Sequence, residues 1–175
     1  MSVLNKRRKV HLSQQRMADS PFGSVRINYD RWPTVIARVH GEAIPAVTVM
    51  PDREVGALAI NGQNVPTKRN SRGWDPRRKA RGRTALVGDR GYELRPTGLC
   101  RAELRRNGAL IARAQGTLRS YSPFRTIPGI DAKLSWSQGV DPTDVAVAQA
   151  MVVAFGAGAP GALGRCFLFW LDFFN

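Results

Sequence analysis

The chain has 175 residues, the usual size of one domain, and 43% of them are hydrophobic. A domain of this size buries roughly 70% of its unfolded surface, so folding requires neither a metal ion nor a disulfide. Seventeen Gly and eleven Pro argue against a helical bundle and favour many short strands and turns.

The charge is strongly basic and unevenly distributed. Lys and Arg number 27 against 13 Asp and Glu, which gives a net charge of +14. After residue 140 the acidic residues outnumber the basic ones, so residues 1–140 carry the whole excess of positive charge. The electrostatic field of this positive charge attracts polyanions, either nucleic acid or an anionic membrane surface. The alternative is that the charge serves only to keep the protein soluble.

Residues 1–20 are basic and polar without hydrophobic periodicity, and we expect a flexible arm. The basic run Lys6–Lys9 is followed by polar residues where a secretory signal would be apolar, which excludes such a signal. The two cysteines, Cys100 and Cys166, form no CxxC pair, so zinc and redox motifs are not indicated. Both are predicted to be core residues of a reduced, cytoplasmic protein.

Strand patterns begin after Pro21. Val25, Ile27 and Tyr29 alternate with polar residues, which predicts a half-buried strand. The dipeptide Asn61-Gly62 is a turn signal. Further short strands are predicted over residues 34–39, 46–50 and 54–60.

Residues 66–83 interrupt the strand pattern. Eight of them are basic and one is acidic, and this composition cannot bury enough apolar surface to fold by itself. We expect a long exposed loop, and such loops are usually functional or disordered. The predicted phosphate contacts are Lys68, Arg69, Arg72, Arg77, Arg78, Lys79, Arg81 and Arg83, with Trp74 as an insertion or stacking residue.

The dipeptide Asn107-Gly108 is the strongest hairpin signal, because a type I′ turn requires positive φ at both central residues. A two-residue loop would place Leu104 opposite Ile111 and Ala102 opposite Arg113. The neighbouring strands are predicted over residues 84–87, 92–95, 99–106, 109–118 and 132–136.

The periodicity changes at Asp141, which can cap a helix that begins at Pro142. Residues 145–155 are apolar except for Gln149, and a helix without a polar face belongs in a core or a membrane. A membrane span over 145–164 is disfavoured because its second half is rich in Gly, Ala and Pro. We therefore expect a central helix at about 142–155.

The apolar C-terminal segment 162–175 would form a large exposed patch unless it is covered. We expect it to close the core, and contact with a protein partner, a second copy or a membrane is the alternative. Its aromatic residues are Phe167, Phe169, Trp170, Phe173 and Phe174.

The fold class predicted by these elements is mainly β. We expect a single domain over 21–175, an antiparallel β-barrel or sandwich closed around the helix at about 142–155. Glycine-rich phosphate loops and a GxSxG nucleophile motif are absent, and His11 and His40 have no ligand-like spacing to Cys, His or acids. The sequence thus predicts a protein that is not an enzyme and needs no cofactor.

The order of these elements resembles the tubby-like superfamily, which includes phospholipid scramblase-like and LURP-one-related proteins. The resemblance covers residues 84–155: the strands at 91–95 and 102–113, a strand ending in Trp136, and the helix start in 141–150. It implies a β-barrel around a hydrophobic helix and a binding or scaffolding module, often at anionic phospholipid, with no catalytic residues.

The preferred hypothesis is that the protein is a non-enzymatic basic module that binds an anionic lipid headgroup, in the cytoplasm or at a membrane. The first alternative is nucleic-acid binding or association with a ribonucleoprotein, for which Trp32, Trp74 and Tyr121 are candidate stacking residues. The second alternative is a structural or assembly subunit that buries its C-terminal segment against a neighbour.

Overall fold

The computed structural model describes residues 14–30, 34–53, 55–70, 81–117 and 127–159. These ranges contain twelve β-strands and one α-helix. The strands are β1 Gln14–Ser20, β2 Gly23–Asp30, β3 Ile36–His40, β4 Val47–Met50, β5 Ala57–Ile60, β6 Gln63–Val65, β7 Thr67–Arg69, β8 Arg83–Val87, β9 Arg90–Pro96, β10 Arg101–Arg106, β11 Ala109–Gln115 and β12 Lys133–Trp136, and the helix is α1 Pro142–Phe155.

The strands form two antiparallel sheets of six, which we call the first sheet (β1–β6) and the second sheet (β7–β12). Within each sheet, every strand pairs with its neighbour along the chain. The mainly β class is therefore confirmed. Within the described residues the two ladders do not join, so of the two predicted architectures the sandwich is formed and the barrel is not.

The core lies between the sheets and includes the helix. α1 contacts β3, β4 and β5 of the first sheet and β9 and β11 of the second. Every α1 residue from Asp144 to Phe155 is buried, as the absence of a polar face requires. Gly129 packs directly on the helix, because a β-carbon there would lie 1.8 Å from the carbonyl oxygen of Val152.

The predicted hairpin at Asn107-Gly108 is present, with φ values of 49° and 86°. Its predicted register is wrong. The ladder shifts between Leu104 and Arg105, so Leu104 lies opposite Ala112 and Ala102 lies opposite Ala114. The cause is a β-bulge, an extra residue on β11 that the partner strand does not match.

Two segments predicted to be irregular contain strands. The last seven residues of the predicted arm 1–20 form β1, which pairs with β2 along its whole length. Residues 67–69 of the predicted loop 66–83 form β7, which pairs with β8. Backbone hydrogen bonds to the neighbouring strand hold each of these two strands in place, so neither strand needs a run of apolar side chains.

Candidate anion-binding surfaces

The structure describes four of the nine predicted anion-binding residues. Lys68 and Arg69 belong to β7, Arg83 begins β8, and Arg81 precedes β8 by two residues. The other predicted residues lie outside the described ranges: Arg72, Trp74, Arg77, Arg78, Lys79, the stacking candidates Trp32 and Tyr121, and the C-terminal Phe167, Phe169, Trp170, Phe173 and Phe174.

The described basic residues divide between two faces of the second sheet. Successive side chains of a strand point to opposite faces, and Lys68 is exposed on the outer face. Arg69 lies opposite Arg83 on the inner face. Arg83 is only 5% exposed, so its prediction as an exposed loop residue is wrong.

Arg83 is buried because two groups hold its guanidinium. It donates a hydrogen bond to the carbonyl oxygen of Arg53. Its Cζ atom also lies over the ring of Phe155, 5.2 Å from the centroid, which is a cation–π contact. Phe155 is the last residue of α1, so this arginine lies at the C-terminal end of the helix.

A cavity of about 100 Å³ opens beside this end of the helix. Among the described residues that line it, four are arginines and none is acidic. We call it the arginine cavity, and its described lining residues are Arg53, Arg69, Arg81 and Arg83 with Leu94, Pro96, Phe155, Gly156, Gly158 and Ala159.

Arg53 is the cavity residue that sequence reasoning missed. It lies in the turn between β4 and β5, and its Nη1 atom is 3.0 Å from where a β-carbon on Gly156 would stand. Next to it, the backbone N–H of Asp52 donates to the carbonyl oxygen of Ala154 at 3.1 Å. No local sequence pattern indicates that this turn reaches the end of a helix a hundred residues later.

The second basic surface is the outer face of the second sheet. Outward side chains of β7 to β12 include six basic and two acidic residues, a net charge of +4. We call this surface the basic face. Its basic residues are Lys68, Arg95, Arg101, Arg105, Arg113 and Lys133, and its acids are Glu93 and Glu103.

The two acids of the basic face already have partners. Glu103 bonds Arg105 on its own strand at 2.8 Å, and it lies opposite Arg95 and Arg113 on the neighbouring strands. The hydrogen bond from Arg105, followed by the charges of the other two arginines, lowers the pKa of Glu103. Glu93 accepts a hydrogen bond from the Asn70 amide at 3.1 Å.

The outer face of the first sheet has no such excess. Its outward charged residues are Arg26 and Arg38 against Asp19 and Asp30, which balance. The described part of the protein therefore has one strongly basic sheet surface and one neutral sheet surface.

A third charged cluster anchors the N-terminal end of α1. The Asp144 carboxylate is fully buried, and it accepts hydrogen bonds from the Tyr92 hydroxyl at 2.9 Å and from Arg106 at 2.6 Å. Asp141 caps the helix and pairs with Arg90 and Arg106. Each charge in the cluster has an opposite partner, so its arrangement is that of a structural clamp.

The clamp shifts the pKa of Tyr92 and the pKa of Asp141. Burial first, and then the hydrogen bond to Asp144, raises the pKa of Tyr92 to about 12. Burial alone would raise the pKa of Asp141, but the backbone N–H of Asp144 and the guanidinium of Arg90 outweigh it and lower that pKa.

The remaining residues that the sequence singled out are isolated. Cys100 is half-buried with a free thiol, whose pKa is raised by burial, and His40 is the last residue of β3. Among the described residues, no group of three His, Cys, Asp or Glu side chains is placed to hold a metal ion. The described helix is also too short to cross a membrane.

Comparison with known proteins gives no relative. Neither a family model, a curated protein nor a solved structure matches the chain.

Proposed function

We propose that the protein is a non-enzymatic binding module that docks on an anionic lipid surface through the basic face. The observation that carries the proposal is the difference between the two sheets, a net charge of +4 on one outer face and balance on the other. If the charged residues served only solubility, we would expect them to be distributed over both sheets.

The layout of the basic face suits a plane of headgroups. Adjacent strands lie about 4.8 Å apart, so the six strands from Lys68 to Lys133 spread their side chains over roughly 24 Å. Basic side chains lie on five of the six strands, and β10 carries two of them, Arg101 and Arg105, so the patch extends in two dimensions. A phosphodiester chain, by contrast, presents a line of charges.

We expect the basic face to bind an anionic membrane with modest affinity that decreases as salt rises. Each Lys or Arg near an anionic leaflet contributes about 1 kcal/mol, so a net of four charges contributes about 4 kcal/mol. Screening over roughly 8 to 10 Å at physiological ionic strength weakens this attraction. The rigid backbone of the sheet presents the side chains without a folding step.

Co-sedimentation with vesicles tests the proposal. We expect the protein to sediment with phosphatidylcholine vesicles that contain phosphatidylserine, to stay in solution with pure phosphatidylcholine, and to be released as salt rises. Equal binding to the two kinds of vesicle would remove the electrostatic mechanism.

Nucleic acid is the competing polyanion, and the same protein should be passed over double-stranded RNA at low salt. The described part of the basic face has no outward aromatic side chain, so it offers no platform for stacking bases. Retention on RNA without binding to anionic vesicles would replace the lipid with nucleic acid as the partner.

The resemblance to the tubby-like superfamily stays a prediction that agrees with this proposal, since that group often acts at anionic phospholipid. An assembly role also stays a prediction. It is tested by the mass of the protein in solution, because burial of the C-terminal segment against a second copy would double that mass.

A further inference from the structure

We infer that a groove in the basic face binds the headgroup of phosphatidylserine, so that the protein distinguishes this lipid from others of the same net charge. The inference rests on the proposed function, because it names the lipid that the same surface would recognise. The groove has a volume of about 440 Å³, and we call it the β8–β9 groove. Its described lining residues are Pro66, Lys68, Thr84, Ala85, Leu86, Gly91, Tyr92, Glu93 and Asn107.

The groove exists because an outward position of β9 has no side chain. Gly91 at that position lies opposite Leu86 of β8. Among the described atoms, a β-carbon built on Gly91 would meet only the Oδ1 atom of Asn107 within 4 Å, at 3.4 Å. The space above Gly91 is therefore open between Leu86 and Asn107. Its volume lies within the range of about 300 to 1,000 Å³ that is typical of small-molecule sites.

The lining of the groove includes one positive and one negative side chain that are held apart. Lys68 and Glu93 both lie opposite Thr84, on the strand between them, so two strand spacings separate them by roughly 10 Å. Within the described part of the chain, neither residue forms an ion pair. Glu93 accepts a hydrogen bond from the Asn70 amide, which is neutral and leaves the carboxylate charge uncompensated. A ligand with a positive and a negative group would pair with both side chains.

Phosphatidylserine has the groups that this pair of side chains requires. Its headgroup carries an ammonium group, which Glu93 would bind, and a phosphate group, which Lys68 would bind. It also carries a carboxylate, to which the Asn107 amide nitrogen can donate. The amide oxygen of Asn107 accepts from the backbone N–H of Gly91 at 2.8 Å, and its amide nitrogen has no partner among the described residues. Phosphatidylglycerol has the same net charge but lacks the ammonium and the carboxylate.

Leu86 favours a headgroup in a membrane over a free zwitterion in solution. Its side chain is 54% exposed and lines the groove. An apolar side chain beside a headgroup can enter the boundary between headgroups and acyl chains, where burial of its surface adds to binding. The groove opens on the basic face, so the same approach brings the other basic side chains to the surrounding lipids.

Vesicles of equal charge test the inference on the full chain. Phosphatidylcholine vesicles with the same fraction of phosphatidylserine or phosphatidylglycerol exert the same average attraction at one ionic strength. We expect the parent to bind the phosphatidylserine vesicles at least about five-fold more tightly. Equal binding to both would overturn the headgroup site and leave the proposed function intact, whereas binding to neither would overturn both.

Glu93→Gln separates the headgroup site from general attraction. Removal of an acid from the basic face adds one positive charge, which should tighten binding to phosphatidylglycerol vesicles about five-fold. On phosphatidylserine vesicles the ammonium group loses its partner, so the preference of the parent should disappear. The matched control is Glu103→Gln, because Glu103 bonds Arg105 and is not among the described lining residues. This control should bind both vesicles more tightly and keep the preference. A Glu93→Gln protein that keeps the preference would overturn the site.

Gly91→Val fills the groove without a change of charge. The new β-carbon would have an ordinary contact with Asn107, and valine suits a β-strand. We expect unchanged binding to phosphatidylglycerol vesicles, loss of the preference for phosphatidylserine, and a melting temperature near that of the parent. The control Ala57→Val, at an exposed position of β5 in the first sheet, should keep the preference. A folded Gly91→Val protein that also keeps it would overturn the site, and Glu93→Gln tests the site independently should the valine prevent folding.

Discussion

Asp144 brings a negative charge into the interior, where its side chain has no exposure to solvent. The sequence identifies it only as an acid in the first turn of a helix, which favours the dipole. Its strongest contacts come from Tyr92 and Arg106, which are 52 and 38 residues away along the chain. Partners at such separations depend on the packing of β9 and β10 and have no local signature.

We predict that Asp144→Asn lowers the free energy of unfolding by about 2 to 3 kcal/mol, the cost of breaking a hydrogen-bonded charge pair whose other member keeps some solvent. Arg106 retains Asp141 at 3.3 Å, which limits the loss. Urea denaturation measures the change. The control Asp19→Asn, at an exposed position of β1, should cost less than about half a kcal/mol.

Deprotonation of Tyr92 lowers the stability of the folded protein at alkaline pH. Its pKa is about 12 in the folded protein and about 10 when unfolded, so its contribution is complete below pH 10 and is lost as pH rises toward 12. We expect stability to fall by about 2 to 3 kcal/mol more in the parent than in Tyr92→Phe over this range. Parallel pH-dependence of unfolding in both proteins would show that Tyr92 is not the titrating group.

At the scale of elements, α1 is the central part of the core. Substituting Val152 by Asp would bury a charge without a partner, which costs several kcal/mol and is comparable to the whole stability of a small domain. We predict that Val152→Asp is unfolded or insoluble by circular dichroism. The matched control is Val55→Asp, because Val55 is 81% exposed. A folded Val152→Asp that melts within a degree or two of the parent would contradict a central helix.

The sequence predicts an element correctly when the residues of that element alone determine its structure. The Asn107-Gly108 turn follows from its own residues, which adopt positive φ, and α1 follows from its caps and its uniform apolarity. The register beyond the turn depends on a bulge in β11, where the consecutive residues Ile111 and Ala112 are both buried and the alternating pattern is broken. β1 and β7 lack an apolar pattern, and only the strands beside them define them.

At the scale of the whole molecule, net charge along the chain is a poor guide to a binding surface. Residues 1–140 carry the basic excess, yet both sheets lie within this part of the chain and only one has a basic outer face. The difference arises from the residues at outward positions, which are six basic and two acidic on the second sheet and two of each on the first. Strand alternation also separates the predicted loop residues, because Lys68 points outward whereas Arg69 and Arg83 point inward. The predicted loop residues thus divide between a surface and a cavity.

The central claim is that the second sheet, rather than total charge, binds the anionic surface. It is tested most directly by two double variants that each remove two exposed arginines: Arg101→Gln with Arg113→Gln on the basic face, and Arg26→Gln with Arg38→Gln on the first sheet. At about 1 kcal/mol per arginine, the first double variant should bind phosphatidylserine vesicles roughly 30-fold more weakly than the parent, and the second should bind within two-fold of it. Equal losses in the two double variants would show attraction to net charge alone and would contradict the account.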